Sequence, residues 1–252
     1  MDSKNFFSGI ADIYEQGRPE YSSELVDDLY TKYGFSQSSV IADIGTGTGK
    51  FAGQLLKMGS AVIGIEPNDD MRHKAQIILG NCGKFTLVDG DANDTTLQDE
   101  SVDFITSAQA FHWFDPRGFR KECRRIMKPD GLVVLLWNIR DMNSFVNKGC
   151  FEIYTKYCDR FVGFHGGLQR DDIRIREFFD NKYERIEYDN PLFYTKEDFI
   201  KRCLSGSYSL KETDANYGTY LSLFDKIYEK YSENGILTMG NKSVAYIGKV
   251  KR

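Results

Sequence analysis

The stretch that decides the fold is Val40-Ile-Ala-Asp-Ile-Gly-Thr-Gly-Thr-Gly49. Its first half is a short apolar run typical of a buried strand, and its second half is a glycine-rich turn. An amphipathic segment, Lys50 to Met58, follows directly and predicts a helix. Glycines at such a turn let a ligand approach the backbone at the carboxyl end of the strand. The stretch therefore predicts the first strand-turn-helix unit of an α/β sheet with a ligand site beside it.

The rest of the chain continues the alternation of short apolar runs with longer amphipathic segments. Such alternation predicts βα units and a parallel sheet. Further strands are predicted at 61–66, 84–88, 102–107, 132–137, 183–188 and 243–250. Helices are predicted at 67–79, 116–127, 195–204 and 217–231, and a Pro-Asp-Gly turn at 129–131 before the fifth strand.

The length of the chain and its pattern of strands and helices predict a single domain over residues 1–252, with two additions. Residues 1–34 are predicted to form an amino-terminal lid and helix segment before the first strand. Residues 138–181 are aromatic and charged, with helical spacing and interrupting glycines, which predicts a helical cap inserted after strand five.

Composition and charge exclude several classes of protein. The net charge of -4 argues against a partner held through nucleic acid phosphates. Five cysteines without a CxxC pair favour reduced thiols in the cytoplasm. The longest strongly apolar run, 132–137, is too short to span a bilayer, and the three histidines lack metal-ligand spacing. We expect no metal and no membrane span.

Two acidic residues indicate which kind of ligand the glycine turn receives. Glu66 ends the second strand, where a carboxylate can accept hydrogen bonds from both hydroxyls of a ribose; alternatively, it caps the next helix. Asp91 and Ala92 follow the third strand, where a carboxylate and a backbone amide can contact the amino group and the ring nitrogen of adenine. Alternatively, Asp91 only forms a turn, since Asp is common in turns. The spacing GxGxG followed by Lys50 departs from the GxGxxG of nicotinamide enzymes.

These residues carry a family resemblance. Asp43-x-Gly-x-Gly-x-Gly49, Glu66, Asp91 and the segment Ser107-Ala-Gln-Ala-Phe-His-Trp-Phe-Asp115 resemble class I S-adenosylmethionine-dependent methyltransferases over most of the chain. The branch that is most similar acts on small molecules and includes trans-aconitate methyltransferases. The resemblance implies a Rossmann-like, seven-stranded, mostly parallel sheet, whose last strand is antiparallel and lies between strands five and six.

The resemblance also implies S-adenosyl-L-methionine as cofactor and a set of residues that bind it. Gly45 and Gly47 would approach its methionine part, Glu66 its ribose, and Asp91 with Ala92 its adenine. Gln109 would lie near the sulfonium. The full cofactor-binding set is Tyr14, Arg18, Asp43, Gly45, Thr46, Gly47, Glu66, Pro67, Asp91, Ala92 and Gln109, in which Tyr14 and Arg18 would close over the cofactor as lid residues.

The implied reaction is methyl transfer to a small-molecule acceptor, through an oxygen, nitrogen or carbon nucleophile. His112 is the candidate catalytic base, because an unperturbed imidazole titrates near neutral pH; a packed residue that orients its loop is the alternative. Two other functions stay open. One is a non-catalytic S-adenosylmethionine-binding protein of the same fold. The other, a nicotinamide-dependent oxidoreductase, is disfavoured by Lys50 and by the lack of a Tyr-x-x-x-Lys set.

Overall fold

The computed structural model describes residues 19–164, 172–206 and 208–250. The chain divides into two compact units. The first comprises residues 1–137, 168–188 and 243–252, and the second comprises residues 138–167 and 189–242.

The first unit contains a seven-stranded sheet. Its strands are β1 (Val40–Ile44), β2 (Ala61–Ile65), β3 (Phe85–Val88), β4 (Val102–Ala108), β5 (Met127–Arg140), β6 (Tyr183–Asp189) and the last strand of the chain, Asn241–Gly248. Along the sheet the order is β3, β2, β1, β4, β5, last strand, β6. This mixed sheet with its antiparallel last strand confirms the predicted class I methyltransferase fold.

The order of the strands places a ligand site beside β1. β1 pairs in parallel with β2 on one side and with β4 on the other, with Asp43 opposite Gly64 and Thr106. The chain reaches the sheet edge at β3 and then crosses to β4, so the connections leave β1 in opposite directions. Ligands of open α/β sheets bind at this switch point, outside the carboxyl ends of the strands.

The helices of the first unit alternate with its strands, as the sequence predicts. They are α1 (Ser23–Thr31), α2 (Lys50–Lys57), α3 (Asp69–Leu79), α4 (Pro116–Ile126) and α6 (Ile173–Phe178); the helix between the last two, α5 (Phe145–Tyr157), belongs to the second unit. α3 begins two residues later than predicted, because Asn68 is its N-cap and accepts a hydrogen bond from the Met71 backbone N–H at 3.0 Å.

The predicted Pro-Asp-Gly turn before the fifth strand is wrong. Residues 129–131 lie within β5, which begins at Met127 opposite Val102 and is irregular until Leu132 pairs with Phe104. A Cβ at Gly131 would lie 2.5 Å from the Asp103 carbonyl oxygen, so the strands approach most closely where no side chain intervenes. A bulge of this kind explains why turn-forming residues occur inside a strand.

The second unit has its own elements and core. It contains α5 (Phe145–Tyr157), β7 (Leu192–Tyr194), α7 (Lys196–Leu204), α8 (Tyr217–Tyr231), β8 (Ser232–Glu233) and β9 (Ile236–Met239), so the last strand of the chain is β10. β7, β9 and β8 form an antiparallel sheet. Its core is strongly aromatic, with Tyr154, Phe199, Tyr220 and Phe224 fully buried.

The bounds of this unit differ from those of the predicted cap. Residues 189–242 belong to it, whereas α6 lies in the first unit, where Ile175 and Phe178 are buried in the core beneath the sheet. The cap role itself stays a prediction. No described helix is both long and apolar enough to cross a membrane.

Candidate functional site

The glycine loop, residues 45–49, is shaped by backbone hydrogen bonds to the neighbouring strand. The backbone N–H groups of Gly45 and Thr46 both donate to the carbonyl oxygen of Ile65, at 2.8 and 3.1 Å. Gly45, Gly47 and Gly49 adopt φ values of 70°, 59° and 85°, in the left-handed region that favours glycine. The loop therefore turns sharply at the end of β1 and begins α2 at Lys50.

Two of these glycines differ in what surrounds them. A Cβ at Gly45 would lie 2.6 Å from the Cβ of Ala110 and 3.2 Å from the Phe114 ring, so the segment after β4 packs directly on this backbone. At Gly47, no atom of the described residues lies within 4 Å of the equivalent position. Gly45 thus serves close packing, whereas Gly47 presents accessible backbone.

Glu66 lies directly after β2 and faces the glycine loop. Its Oε2 accepts the Gly47 backbone N–H at 2.9 Å, and its Oε1 accepts the Asn68 backbone N–H at 3.0 Å. Only 7% of the residue is exposed, and this burial raises the pKa of its carboxyl against the opposing effect of the two backbone hydrogen bonds. Each carboxylate oxygen retains capacity to accept a further hydrogen bond.

A cavity that is partly open to solvent lies between the glycine loop and the ends of β2 and β4. Its lining is mostly apolar and includes five of the predicted residues together with five that the sequence did not indicate as cofactor-binding residues. The lining residues are Gly45, Gly47, Glu66, Pro67, Met71, Ala108, Gln109, Ala110, Trp113 and Phe114.

Asp43 and Thr46 lie behind the loop and are not among these lining residues. Asp43 is fully buried, and its carboxylate accepts hydrogen bonds from the hydroxyls of Thr46 and Thr106, both at 2.7 Å. Burial raises the pKa of Asp43 to about 6, although both threonine hydrogen bonds lower it. The side chain therefore joins β1 to the glycine loop and to β4, a role that its position in the sequence pattern did not distinguish from ligand contact.

Asp91 and Ala92 follow β3 and also lie outside the cavity lining. The Oδ1 of Asp91 accepts the backbone N–H groups of Asn93 and Asp94, at 2.7 and 3.1 Å, and its own N–H donates to the Asp94 carbonyl at 3.0 Å. Ala92 is buried, whereas Asp91 is exposed. The residues thus form a compact turn at the carboxyl edge of the sheet, which is the turn geometry considered from sequence.

The segment after β4 places Gln109 and His112 differently. Gln109 lines the cavity, and its φ of 57° is unusual for a residue with a side chain. His112 lies in a single 3₁₀ turn, Phe111–Trp113, is partly buried, and its ring centroid is 5.1 Å from that of Trp113. Trp113 and Phe114 line the cavity and His112 does not, so the geometry gives the imidazole no direct position on the cavity wall.

The remaining predicted positions are Tyr14 and Arg18, which lie outside the described residues. Among the residues that are described, no three His, Cys, Asp or Glu side chains form a group able to hold a metal ion. Of the lining residues that the sequence missed, Trp113 and Phe114 were detectable as aromatic neighbours of His112. Met71, Ala108 and Ala110 are ordinary apolar residues, and the sequence pattern contained no signal that set them apart.

Comparisons with known proteins agree on one family. A model described as a methyltransferase domain matches residues 42–135, which contain all of the cavity-lining residues named above. An uncharacterized methyltransferase from Geobacillus sp. is 32% identical to this chain, with 55% of this chain and 69% of the relative covered. An uncharacterized methyltransferase from Mycobacterium tuberculosis is 28% identical over 205 residues, with 81% and 77% covered.

The structural comparison supports the same fold. A structure from Anaeromyxobacter dehalogenans, provisionally assigned as a type II methyltransferase, superposes with a TM-score of 0.63 at 16% identity, with 92% of this chain and 98% of that chain covered.

Proposed function

Because the chain belongs to the class I S-adenosylmethionine-dependent methyltransferases, we propose that it methylates a small-molecule acceptor in the cavity beside the glycine loop. The observation that carries the proposal is the position of Glu66. Its buried carboxylate borders the cavity within hydrogen-bond distance of the glycine-loop backbone, as a site for a ribose requires.

The residues present fit S-adenosylmethionine. Open space over Gly47 would accommodate the methionine part, because no atom of the described residues lies within 4 Å of a Cβ at that position. Glu66 would accept hydrogen bonds from the ribose hydroxyls, with Pro67 beside it. Asp91 would accept a hydrogen bond from the adenine amino group and the Ala92 backbone N–H would donate to a ring nitrogen. Gln109, which lines the cavity directly after the end of β4, would lie near the sulfonium of the cofactor.

S-adenosylmethionine supplies a methyl group that its sulfonium has already activated, so the protein's main task is alignment and exclusion of water. Holding the reacting atoms near attack distance can lower the barrier by roughly 7–11 kcal/mol. Met71, Trp113 and Phe114 give the cavity apolar walls that exclude water from the reacting atoms. Asp43 contributes indirectly, because its hydrogen bond to Thr46 fixes the backbone that approaches the cofactor.

The acceptor is proposed to react through an oxygen, nitrogen or carbon nucleophile. A carboxylate acceptor, as in the trans-aconitate branch, would react without losing a proton and needs no base. A hydroxyl, phenol or amine would benefit from a base, and His112 is the candidate for that role, although it lies beside the cavity lining and not within it. The net charge of -4 disfavours a nucleic acid acceptor, and five free cysteines support a cytoplasmic location.

The second candidate function is binding of S-adenosylmethionine without catalysis. It differs from the first only in the absence of turnover, which a measurement of S-adenosylhomocysteine formation with a pool of small metabolites can decide. Turnover with any of these metabolites would favour the enzyme, and tight cofactor binding without turnover would favour the second candidate.

Calorimetric titration with S-adenosylmethionine, S-adenosylhomocysteine and NADH tests the proposed site. We expect micromolar binding of the first two by the natural protein. Glu66→Gln should weaken it at least about tenfold, because two hydrogen bonds to ribose hydroxyls, each about 1 kcal/mol or more, are impaired. Glu177→Gln, which changes an exposed carboxylate on α6, is the matched control and should bind as the natural protein does. Binding of NADH alone would contradict the proposal.

A further inference from the structure

A buried carboxylate on α4 lies outside the cavity and outside every role described so far. Glu122 is 6% exposed. Its Oε1 accepts hydrogen bonds from the backbone N–H and the hydroxyl of Thr95, at 2.8 and 2.6 Å. Arg125, one turn further along the helix, donates to both carboxylate oxygens, at 2.9 and 2.6 Å. Four donors therefore converge on one carboxylate.

The hydrogen bonds of Arg125 extend this cluster along the segment after β3. Its Nη1 donates to the carbonyl oxygen of Leu97 at 2.6 Å and to Asp99 Oδ1 at 2.8 Å. Burial raises the pKa of Glu122, but the hydrogen bonds from Arg125 and Thr95 outweigh it and hold the pKa below its usual value. Glu122 is thus kept as a carboxylate, in the form that accepts all four hydrogen bonds.

α4 also contacts the same segment nearer its beginning. A Cβ at Gly118 would overlap the side-chain oxygen of Asn93, so helix and turn meet there without an intervening side chain. Asp115, the N-cap of α4, accepts the Gly118 backbone N–H at 3.0 Å and fixes the start of the helix. The turn formed by residues 91–95 is therefore held by α4 at two places, Asn93 and Thr95.

We propose that Glu122 is a positioning residue for recognition of the adenine ring. It holds the 91–95 turn in the position from which Asp91 and the Ala92 backbone N–H can form hydrogen bonds with the base. The proposal rests on the proposed function, in which these two residues contact adenine. Thr95 is the end of the turn, and both of its donors bind the same Glu122 oxygen. A shift of Thr95 would move Asp91 through the hydrogen bonds that close the turn.

The negative charge of Glu122 is needed to hold Arg125 and the turn, and a neutral side chain of the same shape does not replace it. A glutamine at position 122 keeps one acceptor oxygen and places an amide N–H₂ opposite Arg125, which has donors and no acceptor. The guanidinium would then lose its charge-assisted hydrogen bonds to residue 122, while it keeps the one to Asp99, and α4 would hold the turn more weakly. We expect the turn to become mobile relative to β2 and β3 without loss of the sheet.

Two ligands that differ only at the base separate positioning from general stability. S-adenosylhomocysteine has the adenine amino group, whereas S-inosylhomocysteine has an oxo group in its place. The natural protein should prefer the first by about tenfold or more, since Asp91 would lose a hydrogen-bond donor and face an oxygen. Glu122→Gln should reduce this preference to less than about threefold by weakening the first ligand and leaving the second nearly unchanged.

Asp172→Asn is the matched control, because it impairs a partly buried carboxylate-arginine pair of the same unit that is on a different helix, α6. It should retain the full preference. If Glu122→Gln does not fold, Thr95→Val tests the same link by removing only the hydroxyl donor, and its preference should also fall.

The outcomes are distinguishable. Equal weakening of both ligands by Glu122→Gln, or a variant that keeps the full preference, would overturn the positioning role. Equal binding of the two ligands by the natural protein would overturn it as well, while leaving the proposed methyl-donor site intact. Failure of the natural protein to bind S-adenosylhomocysteine would instead overturn the proposed function itself.

Discussion

The glycine loop and the 91–95 turn follow neighbouring parts of one sheet edge, yet they are held in opposite ways. The loop is fixed from within the sheet, by the carbonyl oxygen of Ile65 and the fully buried carboxylate of Asp43. The turn is exposed at Asp91 and is fixed from outside the sheet, by Glu122 on α4. A ligand that bridges the two therefore contacts one rigid wall and one wall whose position depends on a helix.

This difference predicts where substitutions have large effects. At Gly45 of the loop, left-handed backbone and direct packing on Ala110 leave no room for a side chain, so even a methyl group is expected to affect stability and binding together. In the turn, exposed side chains can change with little effect on folding, and their effects are expected in ligand recognition.

Gly45→Ala should have the largest effect. Its φ of 70° disfavours a side chain, and the added Cβ would lie 2.6 Å from that of Ala110. We expect a loss of about 2–4 kcal/mol in the free energy of unfolding, measured with urea, because backbone strain and overpacking both contribute. Binding of S-adenosylhomocysteine should be lost.

Gly47→Ala is the matched control for this prediction. Its φ of 59° gives a similar backbone strain, but no described atom lies within 4 Å of the new Cβ. It should cost only about 1–2 kcal/mol in stability. Equal destabilisation by the two substitutions would show that packing on Ala110 contributes nothing.

Asp43→Asn should change the pH dependence of stability. The folded-state pKa of Asp43 is raised to about 6, above the usual value near 3.9, so the folded protein holds this proton more tightly than the unfolded chain. The resulting stability is present below about pH 4 and is lost as the pH rises through 6. Between pH 4 and pH 7, the natural protein should lose about 2 kcal/mol more than Asp43→Asn in urea unfolding.

Thr106→Val sharpens this test, since its hydroxyl lowers the pKa of Asp43 by donating a hydrogen bond. The variant should retain the pH dependence and shift its midpoint upward. A pH profile shared by the natural protein and Asp43→Asn would contradict the assignment of this titration to Asp43.

Sequence patterns were sufficient for the parts of the fold that depend on local order. Val40–Ile44 and the glycine turn indicate the first βα unit, because strand, turn and helix signals follow one another within twenty residues. The irregular start of β5 was not predictable, because Pro129 and Gly131 are turn residues and their place in a strand depends on pairing with β4. Register is set between distant segments, which local patterns do not contain.

The same distinction applies to the site. Glu66 was identifiable because its distance from the glycines places it at the next strand end. Asp43 has the motif position of a ligand contact, but its two hydrogen bonds, one of them to Thr106, 63 residues away, hold it behind the loop. Glu122 gave no signal, since an acidic residue on a charged helix is ordinarily solvated, and its partner Thr95 is 27 residues distant.

The smallest effect on folding is expected for Asp91→Asn. The asparagine side-chain oxygen can still accept the backbone N–H groups of Asn93 and Asp94, and the position is exposed, so urea unfolding should change by less than about 0.5 kcal/mol. Asp43→Asn, which makes the same chemical change in the fully buried site, is the direct comparison. A larger loss of stability at Asp91 than at Asp43 would reverse the contrast, because it would make the turn, rather than the glycine loop, the wall that folding depends on.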